Sequence, residues 1–506
     1  MLAKVLSAGV LGVDAFAVEV EVEVALGLPG YLVVGLPAGA VKEGGVRVRS
    51  AVAHGGHKIP PRKITVNLAP ADVKKDGAAF DLPIAVGVLA ALEFMPQSAL
   101  EGRMLLGELA LDGAIRRVSG CLPVALAALG KVRELILPAE CACEAASVTD
   151  LPVYGAATLL DVLAHLRGER ELPRAVLKPR PVELAAPVDL EEVRGLSTAR
   201  RALEVAAAGA HNLLFLGPPG SGKSMLARRL PTILPPLSQA EALETTAVYS
   251  AAGKLGGASL LEERPFRSPH HDVSVAGMVG GGSMPRPGEI SLAHNGVLFL
   301  DELPEFRRPV LEALRQPLEE RRVTVVRARA VISYPASFSL IAAMNPCPCG
   351  YRGSPLRACV CSPDAIRRYL ARLSGPLVDR FDLHLEVPHT DYASLVSARD
   401  GEASTAVRAR VVAARDLQRR RLARAGFHSN AQMGTRQLRE HCALDAAADH
   451  YLGRCVDRFG LSARSVHRVL RVARTIADLD GGTARLTSTH VGEAIALRVL
   501  DREVAA

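Results

Sequence analysis

The chain has 506 residues, 49% apolar and only 4% aromatic with no tryptophan, which exceeds one ordinary core and calls for two or three domains packed on Leu, Val and Ala. A formal charge of +8, from 61 Lys and Arg against 53 Asp and Glu, excludes a uniformly polycationic binder, so any contact with a polyanion must come from local clusters. No apolar run approaches the ~18 residues of a membrane span, no leader pattern opens the chain, and nine cysteines do not suggest a disulfide framework, so a cytoplasmic location is expected.

Residues 1–165 read as an α+β domain. Ala17 to Val24 alternates apolar and acidic residues, the period of a half-buried strand, and helices are predicted over Phe80–Glu93 and Leu122–Leu129. Residues 166–188 hold four prolines among charges and read as a linker. Residues 189–390 carry nucleotide-binding motifs, and 391–506 read as entirely helical.

The most informative segment is Gly217-Pro218-Pro219-Gly220-Ser221-Gly222-Lys223-Ser224. It follows the apolar strand Asn212–Leu216 and precedes a helical run from Met225, which is the setting a G-x-x-x-x-G-K-[ST] phosphate loop requires. Its backbone N–H groups and the helix N-terminus are expected to cradle phosphates, with Lys223 on the β- and γ-phosphates and Ser224 on Mg²⁺.

Downstream, Val297-Leu298-Phe299-Leu300-Asp301-Glu302 places two carboxylates at a strand's end, Asp301 for the metal and Glu302 to polarise the attacking water. A third strand, Ser339–Met344, ends in Asn345, a polar side chain expected to orient that water between the γ-phosphate and Glu302. Arg380, in Leu377–Asp382, has two readings: an ion pair with Asp379 or Asp382, or an arginine finger for a neighbour's γ-phosphate.

Between the phosphate loop and Asp301 stand His270-His271 and a glycine-rich stretch, Gly277–Ser283, expected to be a mobile loop. Adjacent histidines are expected to point apart, with no acid at ligand spacing, so no metal is assigned to them. After Glu320, alternation predicts a β-hairpin carrying Arg327 and Arg329 on one face, either as solvated edge residues or as cations touching a phosphate backbone. Cys347, Cys349, Cys359 and Cys361 form two C-x-C pairs on a Pro/Gly-rich loop, suited to a structural Zn²⁺ although tighter than C-x-x-C. Seven arginines and one acid between Arg408 and Arg424 read as a solvated helix face or a phosphate-contacting surface.

The set Gly217–Ser224, Asp301-Glu302, Asn345 and Arg380, together with Arg267–His271 and Gly375–Asp382, resembles the AAA+ ATPases. More narrowly, it resembles the magnesium-chelatase-like group that includes the bacterial competence protein ComM, also called the YifB family. The resemblance implies an α/β chain with an AAA+ P-loop core and a C-terminal helical lid, binding ATP and Mg²⁺. It implies that Asn345 is sensor 1, that Arg380 is the finger, and that Arg464 is the sensor-2 arginine of the lid. It also implies a closed ring, a homohexamer, because a finger acting in trans needs a heterologous contact.

Residues 1–165 resemble the ribosomal S5 domain 2-like fold of Lon-type proteases and the recombination factor RadA, through Lys75–Pro83 and Gly107–Gly113. Active Lon-type sites need a serine about where this chain has Ala79 and a lysine about where it has Leu122, so no protease activity is expected. Three substrates remain: DNA in branch migration during natural transformation, with recombination proteins as further partners; a porphyrin-chelatase partner; or a protein to be remodelled. Against the chelatase, Asp272-Val273-Ser274-Val275-Ala276 falls one residue short of D-x-S-x-S. Against an unfoldase, neither candidate pore loop offers an aromatic residue.

Overall fold

The computed structural model describes residues 1–177, 188–282, 286–327, 330–354, 357–389 and 401–503. Strands β1 (Leu2–Leu11) and β2 (Asp14–Ala25) form a long antiparallel hairpin. Val18, Val20, Val22 and Val24 of β2 are buried and Glu19 and Glu23 face out, as the two-residue period demands. There follow β3 (Gly30–Val34), α1 (Gly39–His54), β4 (Lys63–Ala69), α2 (Asp81–Ala91), β5 (Arg103–Leu105), α3 (Cys121–Ala128), β6 (Glu134–Pro138) and β7 (Val153–Ala156). The seven strands make one sheet in the order β3-β4-β2-β1-β5-β6-β7. Helix α2 is buried on every side and packs on β1 and β2, which explains its continuous apolar sequence.

The expected linker is partly structured. Leu172 is buried, and the backbone of Pro173 and Ala175 bonds to Gly155 and Val153, extending the sheet beyond β7. A proline removes one donor but leaves its carbonyl free, so this stretch can still pair along an edge. Residues 178–187 lie outside the described residues.

The next layer contains α4 (Ser197–Gly209), β8 (Leu213–Leu216), α5 (Lys223–Ile233), α6 (Gln239–Ala251), β9 (Phe266–Arg267), β10 (Val297–Leu300), the hairpin β11 (Arg322–Arg327) and β12 (Ala330–Pro335), β13 (Ser339–Met344) and β14 (Leu383–Glu386). A five-stranded sheet runs β9-β10-β13-β8-β14, parallel throughout. All six residues of β13 are buried, the run expected of a strand covered on both faces. The phosphate loop, Asp301 and Asn345 leave the carboxyl ends of β8, β10 and β13, where open parallel sheets bind ligands.

Four helices, α7 (Ser404–Leu422), α8 (Ala446–Phe459), α9 (Ala463–Leu479) and α10 (Ser488–Ala496), dominate the C-terminal part. Val411, Val472 and Ile476 share one core with Leu203 and Leu213. The arginine-rich run is largely consumed by packing. Arg408 and Arg415 donate to the carbonyls of Thr232 and Ala207, while Arg410, Arg419 and Arg421 pair with Glu204, Asp416 and Asp478. Arg420 and Arg424 are exposed and make no such bond among the described residues.

The N-terminal domain is docked on the phosphate-loop domain through α3 and α6. Leu122, completely buried, shares a cluster with Ala247 and Leu243, and Ala79 packs on the same cluster. Ser250 donates to the buried Glu144 carboxylate at 2.7 Å, and the Gly120 N–H bonds the Ser250 carbonyl at 3.0 Å. Burial pushes the Glu144 carboxyl above its ordinary range.

Candidate functional site

The phosphate loop wraps a cleft of about 390 Å³ lined by Gly220, Lys223, Ser224, Asp301, Glu302 and Asn345, among others. Gly222 makes the turn into α5 with φ +87°, which a side-chain-bearing residue adopts only with strain. Helix α5 therefore starts at Lys223 with its N-terminus at the cleft.

Lys223 is buried, and its ammonium is held at 2.8 Å by the carbonyls of Gly217 and Pro218, with Asn345 Oδ1 at 3.4 Å. Burial lowers its pKa, and the nearby Asp301 and Glu302 oppose that shift. Ser224 Oγ donates to Asp301 Oδ2 at 2.6 Å, so a hydroxyl and a carboxylate stand side by side. Such hard oxygen donors suit Mg²⁺, which would neutralise charge between phosphates. Glu302 is left-handed at φ +54°, its N–H bonded to Asp301 Oδ1 at 3.0 Å and its side chain 58% exposed. The two adjacent carboxylates thus stand in different settings, Asp301 against Ser224 and Glu302 open beside His271. The structure thus brings Lys223, Ser224, Asp301, Glu302 and Asn345 around one cleft.

Arg380 does not line this cleft. Its guanidinium, 16% exposed, pairs with Glu319 on the helix before β11. The sequence expectation of a pair with Asp379 or Asp382 is corrected by the fold. Asp379 lies 3.6 Å from Arg468, and Asp382 is buried against His211 at 3.3 Å. Burial alone would raise the Asp382 carboxyl, but His211, Arg471 and Arg468 hold it down at about 2. Arg464 is exposed in the first turn of α9 and is not among the residues lining the cleft. Arg468, one turn further, is buried and joins the lid to the Asp379–Asp382 segment, a role sequence reading missed.

The His270-His271 segment approaches the cleft at Glu302. His270 and His271 do not point apart: a turn closed by Val273 N–H on the His270 carbonyl brings their rings to 4.1 Å, with Asp272 3.4 Å from His270 Nδ1. His271 Nδ1 lies 4.0 Å from Glu302. The glycine-rich stretch holds a short helix, Val275–Val279, and a strand at Gly280–Gly281 that pairs with Arg286–Pro287. The hairpin predicted after Glu320 is β11–β12; the Arg327 side chain and Arg329 lie outside the described residues.

The four cysteine sulfurs lie within 4.8 Å of one another. Cys347–Cys349, Cys347–Cys359 and Cys349–Cys359 are separated by 3.4, 3.7 and 3.6 Å. A tetrahedral Zn–S₄ centre with bonds near 2.3 Å has S···S edges of about 3.8 Å, so the quartet fits that ion. Backbone N–H groups of Tyr351 and Val360 bring the Cys349 thiol down to about 6. The loop leans on the phosphate loop: Gly350, at φ +82°, approaches Pro219 so closely that a Cβ there would lie 2.6 Å from Pro219 Cδ.

A phosphate loop, strand-end carboxylates and a polar strand-end residue on a parallel sheet define the class of nucleotide-hydrolysing P-loop proteins. Family profiles agree across the chain: magnesium chelatase subunit ChlI at residues 189–395, subunit ChlI of Mg-chelatase at 20–141, and the subunit ChlI C-terminal region at 401–498. The chain is 47% identical over 507 residues to the competence protein ComM of Haemophilus influenzae, covering 99% of this chain and 98% of that protein. It is 46% identical over 506 residues to the uncharacterized protein YifB of Salmonella typhimurium, covering 99% and 98%. A partial likeness, 29% over 163 residues, links 30% of the chain to 29% of Lon protease 2 of Bacillus subtilis. The chain belongs to the ComM/YifB family of magnesium-chelatase-like AAA+ ATPases. ATP and Mg²⁺ are the ligands this membership implies. No helix among the described residues is long and apolar enough to cross a membrane.

Proposed function

We propose that the protein is a ring-forming ATPase, a homohexamer, that translocates on DNA and drives branch migration of recombination intermediates during natural transformation. The observation that carries the ring is the position of Arg380. The cleft's own chain supplies Lys223 as a cation, whereas Arg380 stands outside it. A neighbouring copy's Arg380 would complete the charge stabilisation of the transition state, and a repeated heterologous contact of that kind closes into a ring. In this reading Glu302 activates water, Asn345 orients it, and Arg464 reaches the nucleotide when the lid closes.

The DNA assignment draws on near full-length similarity to a competence protein and on the β11–β12 hairpin, the proposed carrier of Arg327 and Arg329 toward a central strand. The N-terminal domain is read as a Lon-like S5 fold without protease chemistry, since Ala79 and Leu122 bring apolar side chains to a buried cluster against α6. The cysteine quartet is read as a structural Zn²⁺ site bracing the phosphate loop. ATP turnover by purified protein with and without branched DNA tests the motor reading. Several-fold stimulation by DNA is expected; stimulation by a folded protein substrate and none by DNA would replace it with protein remodelling.

A further inference from the structure

A second cleft, about 420 Å³, lies in the N-terminal domain, far in sequence from the phosphate loop. Its walls come from the end of α1, the loop leading into β4 and the turn before β3, and its polar lining is Arg49, Lys58 and Arg62. No carboxylate lines it among the described residues. The sequence explains why: from Gly44 to Ala71 there is no Asp or Glu, while Arg47, Arg49, Lys58, Arg62 and Lys63 fall in that stretch. Arg47 is used internally, on Asp81. Arg49, Lys58, Arg62 and Lys63 are exposed, and none is ion-paired among the described residues.

That contrasts with the arginine-rich helix α7, where five of six arginines are held by carbonyls or carboxylates. The cleft is also preformed. The Arg62 N–H bonds the Pro60 carbonyl at 2.8 Å, the His57 N–H bonds the Val52 carbonyl at 3.1 Å, and Pro29, Pro60 and Pro61 stiffen its rim. The C-terminal end of α1 offers roughly half a negative charge, too little to balance three full cations.

We infer that this cleft seats the phosphodiester backbone of a nucleic-acid strand, without base specificity. Three unpaired cations in one concavity hold counterions that a strand's phosphates would release. None of the described residues lining the cleft is aromatic, and Tyr31, 6.0 Å from Arg49, has its hydroxyl buried, so base stacking is not offered. The choice of DNA as the strand rests on the motor reading above. Leu26 and Leu28, 85% and 90% exposed just before Pro29, make an anionic lipid surface the rival source of phosphate.

The test is the salt dependence of binding by the full-length protein. Labelled duplex and single-stranded DNA are titrated between 50 and 200 mM salt against wild type and the Arg49→Ala/Lys58→Ala/Arg62→Ala variant. Each lost phosphate contact removes about 0.9 from the log–log slope on duplex, so three remove about 2.7 and shrink the salt loss over that range about 40-fold. Arg49→Lys/Arg62→Lys should keep the wild-type slope, and the exposed positions should leave the thermal transition unmoved. Wild-type binding with an unchanged slope in the triple variant would overturn the cleft and leave the motor reading intact. No DNA binding by wild type at 50 mM would overturn both. Vesicles of phosphatidylglycerol and phosphatidylcholine bound by wild type but not the triple variant, with DNA slopes equal, would overturn it in favour of a lipid surface. Pyrophosphate saturating the cleft at micromolar concentration, again with equal DNA slopes, would overturn it in favour of a small polyphosphate.

Discussion

Replacing Arg380 probes the claim that each active site is shared between two subunits. The side chain is mostly buried, pairs with Glu319, and stands outside the cleft of its own chain, so Arg380→Ala should leave ATP affinity nearly unchanged. Turnover should fall about 10³- to 10⁵-fold, the range for a lost arginine finger, or about 4–7 kcal/mol of transition-state stabilisation. The resting pair must break before the finger can reach a neighbour. Glu319 is 60% exposed, so that pair is worth at most about 1 kcal/mol. Glu319→Gln should therefore accelerate turnover by up to about fivefold. A coupled ATPase assay gives the rates and a fluorescent nucleotide gives the affinities. Mixing Arg380→Ala with Glu302→Gln subunits should restore part of the activity, because one supplies the intact carboxylate and the other the intact arginine. Turnover by Arg380→Ala within threefold of wild type, or no recovery at any mixing ratio, would refute the shared site.

Lys223→Ala should abolish ATP binding in equilibrium titrations, since the only cation among the described residues lining the cleft would be lost; retained tight affinity would remove the loop from the site. Glu302→Gln should bind ATP and turn it over at least about 10²-fold more slowly, as expected for a lost general base, and undiminished turnover would exclude Glu302 from that role. Metal analysis should find one zinc per chain, released by thiol-blocking reagents; much less than one would dispose of the quartet as a zinc centre. Acid should destabilise the fold through His384, which burial and neighbouring Arg498 push down to about 3 from 6.5. The unfolded chain takes up this proton near pH 6.5 and the folded one refuses it, which costs about 2 kcal/mol between pH 7 and 5. Asp382, held at about 2, keeps its contribution until below pH 3.8, outside that window. Urea melts of His384→Leu should lose about 2 kcal/mol less than wild type over that interval, and an identical loss would refute the assignment.

What could be read in advance follows from chain locality. The phosphate loop is one contiguous octapeptide between an apolar strand and a helix, and Asp301, Glu302 and Asn345 each end an apolar run, so the strand-end geometry is implicit in the pattern. The Val18–Val24 alternation likewise announced β2. Contacts between distant residues had no such signature. Arg380 meets Glu319 across 61 positions, Ser250 meets Glu144 across 106, and Arg421 meets Asp478 across 57. The arginine-rich helix looked like an open surface because its partners are carbonyls and acids of other elements. The two histidine rings meet because a turn, not an extended segment, carries them, and adjacency in sequence gives no sign of that turn. The basic cleft is assembled from three segments, only one of them charged enough to notice.

The central claim is that ATP hydrolysis at the Gly217–Ser224 loop moves DNA. The most direct measurement is ATP-dependent conversion of a labelled four-way junction into duplexes, with Lys223→Ala protein as the blank. The account predicts conversion by wild type with ATP and Mg²⁺, and none with the variant or a non-hydrolysable analogue. A wild-type enzyme that hydrolyses ATP and binds the junction yet leaves it intact would contradict the account.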